Sequence, residues 1–540
     1  MVERKMRGNQ KISAEMSPVS FLLDPHSYAE RPRQVELVET HISWVFLTDR
    51  HAYKLKKPVA FEFLDFTTVE ARRQACEEEV RLNRRLADGV YLGVVPIGAQ
   101  ENGKLSLGHG GRTVDWLVKM RRLPAERTLE HLILHGELQA SETREVAAML
   151  AGFYTQAAPL TIKPHDYRQA IERHVDTNFA ELSDASHGLD ARQVRRIHGA
   201  QRRLLKLAPN VLDNRVCDGR IVEGHGDLRP EHVYIERRPV IIDCVEFSRE
   251  LRVLDVADEL CFLAMECDRL KAPSVGRHVL EAYVAASGDT VPAALLSFYK
   301  CYRACVRAKV AVLREDQLDP RQRRPAHELA TEYLALANDY ASQIGPPLLV
   351  VVSGLMGTGK STLARALAGA LGAELLSTDS VRQELYPAAP ARVGYGEGKY
   401  SIEHRRHVYD RLFAATQQML DDHASVVLDG TFLFADLREQ AIELARHSAA
   451  IPLIVHCQCP SEIAAGRITE RMASGGDASE ARPDLHAAQS REEEPDPPGL
   501  PAVEVETTSS VCGLLNDVLQ RLAQEPCLRG RTTPLVSSVI

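Results

Sequence analysis

Apolar and polar positions follow two different rhythms along this chain, and the change falls near residue 345. From about Val35 to Pro124 the spacing is that of strands. "ISWVFLTDRHAYKLKKPV" predicts two strands around a polar turn at Asp49 to His51. "VEARRQACEEEVRLNRRLA" follows with helical spacing, and "TVDWLVKMRRLP" predicts another strand, ended by proline. From about Ala125 to Ile344 helical patterns dominate, interrupted by short strands near "HVYIE" and "PVIIDCVEF".

After "ANDYASQIGPP" the pattern alternates. The apolar runs "LLVVVSG", "AELLSTD", "SVVLDG", "PLIVHCQ" and "AVEVETT" are separated by helical segments. Five such strands predict a parallel sheet covered by helices on both faces. The fold class expected is therefore two-domain: an α+β domain over 17–344, then an α/β domain over 347–528 with a five-stranded parallel sheet and a lid near 465–500. The stretch "ASGGDASEARPDLHAAQSREEEPDPPGLP", rich in Gly, Pro and acids, reads as a mobile excursion from the second domain. Residues 1–16 and 529–540 read as loose tails.

Composition narrows the function. With 540 residues, 44% hydrophobic and 26% charged, the chain exceeds one compact core. A formal net charge of −8 offers no general attraction to polyanions, so nucleic acid is not the favoured partner. No run of 18 uncharged apolar residues occurs and "MVERKMRGNQKISAEM" is polar, which leads us to expect no membrane partner and a cytoplasmic protein. The eleven cysteines, including the close pairs Cys301/Cys305 and Cys457/Cys459, lack zinc-site spacing and read as core thiols.

The sharpest chemical signal is "LVVVSGLMGTGKSTLARAL". Gly354, Gly359, Lys360 and Ser361 satisfy GxxxxGKS directly after a strand and before a helix, with Gly357, Thr358 and Thr362 completing the stretch. Such a loop turns backbone N–H groups toward phosphate oxygens, its lysine reaches the β/γ phosphates and its serine ligates Mg²⁺. ATP and Mg²⁺ are thus the expected cofactors. Asp379, in "STDSVRQELY", sits where open parallel sheets place their ligands, suited to accept the proton of an acceptor hydroxyl, and Arg382 falls one turn later to hold an anionic group. Asp429 ends another strand, suited to a metal water or to positioning the acceptor. Arg467 and Arg471 lie one turn apart before the excursion and can close over the transferring group.

Together, GxxxxGKS, "TDSVR", "VVLDGTF" and the arginine-bearing helix resemble P-loop kinases that include phage polynucleotide kinases, zeta-toxin-like and gluconate-kinase-like enzymes, over about Leu348 to Leu522. The resemblance implies that Asp379 is the acceptor base and that Arg382 binds the acceptor.

A second stretch, "IVEGHGDLRPEHVYIERRPVIIDCVEF", places Asp227 and Asp243 on a strand-turn-strand unit, where one carboxylate can meet an acceptor hydroxyl and the other a metal. "HGDLRPEHV" and "IIDCVEF" resemble the catalytic and metal segments of aminoglycoside phosphotransferases, over about Leu37 to Leu313. That resemblance implies Asp227 as base, Asp243 as metal ligand, His225 supporting the loop and Asp255 anchoring it. It also implies a strand lysine, Lys54 or Lys56 with Lys54 preferred, a helix partner at Glu78 or Glu79, and a hinge meeting adenine through the backbone around Met120 to Arg122. His232 stands where the family has a second metal-binding asparagine, and no glycine-rich loop separates "ISWVFLTD" from "AYKLKK".

The order of the two modules resembles bacterial bifunctional aminoglycoside phosphotransferase and ATP-binding proteins. The function expected is an ATP- and Mg²⁺-dependent phosphotransferase acting on a hydroxyl of a small molecule or nucleotide. The alternatives are a nucleotide-responsive regulatory protein with a degenerate first domain, and a polynucleotide 5′-hydroxyl kinase.

Overall fold

The computed structural model describes residues 17–61, 64–108, 110–315, 320–387, 398, 401–474 and 483–525. Both terminal stretches expected to be loose, 1–16 and 529–540, lie outside the described residues. By contacts the chain divides into two units, one of residues 1–160 with 219–289, the other of 161–218 with 290–540.

The first unit opens with β1 (Glu36–Glu39), β2 (Ser43–Leu47) and β3 (His51–Lys56), then a small hairpin of β4 (Ala60–Phe61) and β5 (Leu64–Asp65). β6 (Tyr91–Ala99), β7 (Leu105–Leu107) and β8 (Arg112–Arg121) complete a six-stranded antiparallel sheet in the order β1-β2-β3-β8-β6-β7. The turns joining β1 to β2 and β2 to β3 are tight, closed by Thr40 and Thr48, whose amides donate to the Ser43 and His51 carbonyls. Side chains alternate across β3. Tyr53 and Leu55 pack with Phe46, Ile97 and Leu117 on one face. On the other, Ala52 packs with Cys76 and Val80 of the helix Val69–Asn83, beside Val118 and Met120 of β8. Lys54 and Lys56 therefore enter this second, helix-covered face, where only buried carboxylates can balance them.

Further along the same unit, β9 (Ile221–Glu223) pairs with β12 (Val253–Asp255), and β10 (Val233–Tyr234) with β11 (Val240–Ile241). These are the short strands expected near "HVYIE" and "PVIIDCVEF". Leu228 and Ile241 root them in a core with Leu150, Leu260 and Val279 from the helices Ala140–Gln156, Val256–Arg269 and Pro273–Ser287.

The second unit contains β13 (Leu348–Ser353), β14 (Glu374–Ser377), β15 (Val426–Asp429), β16 (Ile451–Gln458) and β17 (Ala502–Glu506), all parallel, in the order β14-β15-β13-β16-β17. Each of the five apolar runs forms one strand. Every residue of β13 is buried, and its side chains alternate between two cores. Leu348, Val350 and Val352 meet Leu363, Leu367 and Val518, while Leu349 and Val351 meet Tyr409, Leu412 and Ile442. Residues 161–218 and 290–344, mostly helical, group by contact with this sheet. Leu207, ending the helix Ala191–Leu207, belongs to the core of Leu348 and Leu363.

The stretch read from composition as a mobile excursion carries structure. Its residues 475–482 lie outside the described residues, but Pro483–Glu492 forms a helix with His486 and Gln489 buried. Arg438 then holds the chain that follows, donating to the Glu494 carbonyl at 2.7 Å and pairing with Asp496 at 2.7 Å.

One close approach tests how the helix Ala191–Leu207 docks. A Cβ built on Gly199 would lie 2.4 Å from the carbonyl oxygen of Gly372, the residue that ends the helix Lys360–Leu371. Gly199→Ala must push these backbones apart. We expect it to destabilise the protein by about 1–3 kcal/mol, read as a lowered midpoint in urea unfolding. An unchanged midpoint would refute the packing.

Candidate functional site

β13 ends in Ser353 and the chain turns into the glycine loop. Gly354, Gly357 and Gly359 have φ of 141°, 85° and 85°, a region that side chains disfavour. Space excludes a side chain as well, since a Cβ would lie 2.5 Å from the Cys457 carbonyl at Gly354 and 2.7 Å from the Ala464 carbonyl at Gly357. Gly359 caps the helix Lys360–Leu371, so the amides of Lys360 and Ser361 open its first turn without helical partners, while the Thr362 amide donates to the Gly359 carbonyl at 3.1 Å. Lys360 Nζ lies 3.5 Å from the Leu355 carbonyl. Thr358 braces the loop from within, its hydroxyl donating to Leu355 at 2.8 Å, and Thr507 braces it from outside, donating to the Thr358 carbonyl at 2.5 Å.

β15 brings Asp429 level with Val352. The carboxylate is buried, and its Oδ1 has no hydrogen-bond partner. Burial raises its pKa above the usual range and the charge of Asp379 adds to this, while the Lys360 charge and a hydrogen bond from Ser361 work against it. A buried carboxylate oxygen without a donor, beside a serine hydroxyl and under a cradle of amides, is a donor set that fits a hard divalent cation. Asp379 stands in the first turn of the helix Thr378–Leu385, just past the end of β14, and Arg382 Nη1 reaches its Oδ1 at 2.5 Å. Arg467 reaches Thr507, donating to its carbonyl at 2.7 Å and its hydroxyl at 3.2 Å. Arg471 lies on the same helix, its side chain outside the described residues.

Three further groups contact the loop or extend from it that sequence reasoning passed over. Met356 is clasped from both sides by the helix Pro483–Glu492: its N–H donates to Gln489 at 3.1 Å, and its carbonyl accepts from His486 Nδ1 at 2.7 Å. Ser353 bonds His456 Nδ1 at 2.7 Å, and His456 Nε2 bonds Asp496 at 2.7 Å. The only signal for the clasp was the spacing of His486 and Gln489 by three, inside a segment whose composition says loop. Arg405 packs over the Phe434 ring, pairs with Glu492 at 3.3 Å and lies near Tyr409, as Arg382 does.

The first unit gathers the other candidates. Lys54 bonds Glu79 at 2.9 Å and Asp243 at 2.6 Å, while Lys56 bonds the other oxygen of Glu79 and also Glu246. Glu79 thus partners both lysines, and Lys54 is the one that reaches Asp243. Glu78 instead pairs with Arg81 and Arg252. Burial alone would push Asp243 up, but the Lys54 ammonium and His232 hold its carboxyl far below the usual range. Its backbone has φ of 65°, a left-handed conformation that costs a residue with a side chain about 1 kcal/mol or more. The Tyr91 hydroxyl accepts its N–H at 3.2 Å.

His232 Nδ1 donates to the Asp227 carbonyl at 2.9 Å, because Nε2 faces the Arg229 guanidinium at 3.2 Å and a guanidinium can only donate. The Nε2 lone pair also lies 3.6 Å from Asp243 Oδ2. Asp227 itself pairs with Arg229 at 2.9 Å, a partner the sequence did not single out. His225 supports the loop through Ile242 at 2.9 Å. The amides of His225 and Gly226 donate to Glu259, at 2.7 and 2.9 Å, so Glu259 anchors this loop, whereas Asp255 caps the helix one turn earlier. Met120 is buried at the end of β8. The hinge expectation meets an obstacle here, because the Arg121 and Arg122 amides already donate to the Val90 and Arg50 carbonyls. No group of three or more His, Cys, Asp or Glu is arranged to hold a metal among the described residues.

No helix among the described residues is long and apolar enough to cross a membrane. A family profile described as an AAA domain matches residues 349–495. Among solved structures, a gluconokinase from Sinorhizobium meliloti is similar at 20% identity over 33% of this chain and 93% of that one, with a TM-score of 0.25. The APS kinase CysC of Mycobacterium tuberculosis is similar at 18% identity over 33% and 98%, with a TM-score of 0.26. Two full-length relatives, "uncharacterized protein Rv2004c" of Mycobacterium tuberculosis and "uncharacterized protein Mb2027c" of Mycobacterium bovis, are each 33% identical over 462 residues, 84% of this chain and 90% of the relative. The chain belongs to the same family as these mycobacterial proteins, and its residues 349–495 form an AAA-type P-loop domain.

Proposed function

We propose that the second unit transfers the γ-phosphoryl group of ATP to a hydroxyl of a small molecule or nucleotide. The observation that carries this reading is the buried, partnerless Oδ1 of Asp429 beside Ser361, beneath a loop that admits no side chain at Gly354 or Gly357. Lys360 and the first-turn amides bind the donor phosphates, and Ser361 with Asp429 would hold Mg²⁺, which when bound neutralises charge between the β and γ phosphates. Asp379 takes the acceptor proton. Arg382, bonded to it at 2.5 Å, orients that carboxylate. Arg467 steadies the outer wall of the loop through Thr507. The resemblance to P-loop kinases supports the same assignment.

For the first unit, the reading with most support is an aminoglycoside-phosphotransferase-like nucleotide site, with Lys54 and Asp243 toward the phosphates and Asp227 toward the acceptor. A specific observation favours a regulatory variant: Asp243 is engaged by Lys54 at 2.6 Å and Asp227 by Arg229 at 2.9 Å. Both carboxylates are thereby already neutralised within the protein, an arrangement suited to nucleotide sensing. Polynucleotide phosphorylation has the least support.

Full-length protein separates these readings, using γ-labelled ATP and a panel of sugars, nucleosides, aminoglycosides and 5′-hydroxyl oligonucleotides. Lys360→Ala removes a charge-assisted contact, and we expect the second unit's ATP affinity to fall about 10–100-fold. Unchanged affinity would remove the donor-site assignment. Asp379→Asn is expected to leave that affinity intact while slowing transfer about 10²–10⁴-fold, and full activity would eliminate Asp379 as base. If the first unit is catalytic, Asp227→Asn abolishes a second transfer activity that survives Lys360→Ala. If it only senses nucleotide, Lys54→Met weakens a second ATP-binding event and no second transfer exists to lose.

A further inference from the structure

At the end of the parallel sheet away from the glycine loop, where its strands begin, the second unit has a small cavity of about 40 Å³, open to solvent. The helix Ala191–Leu207 lines it with Arg196, Ala200 and Arg203, spaced four and three so that they form one stripe. Asn338 and Ser342 of the helix Pro320–Ile344 face them, and His423, just before β15, closes a side. Arg203 is only 4% exposed, yet the partners it has are neutral: Nη1 donates to the Ser425 hydroxyl at 2.9 Å and Nη2 to the Gly345 carbonyl at 3.0 Å. Burial without a countercharge pulls its pKa down to about 10. Arg196 donates Nη1 to the Asp422 carbonyl at 2.8 Å, while its buried Nε has no partner. The buried Asn338 Oδ1 also has none, and that amide can turn to present its N–H₂. Neighbouring carboxylates are occupied, Glu374 by Arg195 at 2.7 Å and Asp421 by Gln417 and Ser448 at 2.7 and 2.9 Å.

Charges are seldom buried without a counterion, because the desolvation cost is repaid only by an opposite charge or a dense set of hydrogen bonds. Two guanidinium groups line one small cavity, one of them buried among neutral oxygens, and neither makes an ion pair among the described residues. We propose that this cavity is an anion site for a phosphate monoester or inorganic phosphate, separate from the P-loop. Two guanidinium groups match a dianion in charge, and their planar N–H forks match phosphate oxygens in geometry. At about 40 Å³, against roughly 10–15 Å³ for a single water, the cavity has room for a phosphate group and leaves the rest of a monoester at its open mouth. Its anion would sit against Gly345, three residues before β13, and His423, three residues before β15, at the roots of the strands that lead to Gly354 and Asp429.

The test is calorimetric titration of full-length protein with inorganic phosphate, in a Lys360→Ala background that removes the P-loop as a phosphate receptor. We expect binding to persist there and to weaken at least tenfold in Arg196→Gln and in Ser342→Asp, which puts a carboxylate at the mouth. Arg196 is half-buried and Ser342 exposed, so neither change disturbs the buried Arg203. Loss of all phosphate binding with Lys360→Ala, or equal binding in both cavity variants, overturns the proposal. Acetate binding as tight as phosphate overturns the assignment to a dianion.

Discussion

The absence of side chains at Gly354 and Gly357 governs the second unit. A Cβ at either would collide with a carbonyl oxygen, of Cys457 on β16 or of Ala464 on the helix that follows it. The loop is consequently packed on its outer side, where its Met356 amide is held by Gln489. The sheet must then set β13 between β15 and β16, and the register that pairs Val352 with Asp429 is what brings the carboxylate to Ser361. Neither the buried apolar run of β13 nor the glycines alone would build this site. It needs both, because a strand buried on two faces fixes the height at which the loop leaves the sheet.

The first unit rests on a different constraint, the balance of buried charge. Two cations, Lys54 and Lys56, share Glu79 and each takes one more carboxylate, Asp243 or Glu246. Removing one partner from such a cluster typically costs about 3–5 kcal/mol, because it strands the others away from water. The cluster also anchors Asp243 in its left-handed conformation, so the site stands assembled in the protein alone.

The parallel sheet was legible because five apolar runs punctuated by helical segments admit few other arrangements, and the glycine loop because strand, loop and helix sit in sequence order. Lys54 and Lys56 could be placed on one face of a strand but not distinguished, since alternation gives a face and nothing about reach. Glu259 eluded sequence reasoning in favour of Asp255 because both lie on one helix, a turn apart, and only the depth of the loop chooses between them. The helix Pro483–Glu492 was hidden by its neighbours' composition. Its hold on Met356 comes from two polar side chains and not from an apolar stripe, and pattern reading weighs apolar spacing most.

Because the chain passes from one unit to the other at residues 160–161, 218–219 and 289–290, neither unit is continuous. This has a consequence for synthesis on the ribosome. The first unit is complete once residue 289 has emerged, while Arg203 must wait for Ser425, 222 residues later in the chain. At about 5–20 residues per second that interval is roughly ten to forty seconds. Throughout it the helix Ala191–Leu207 has its neighbours Pro164–Leu182 and Pro209–Cys217 but not the strands it is built to cover, so the second unit is the part of the nascent chain that spends longest incomplete.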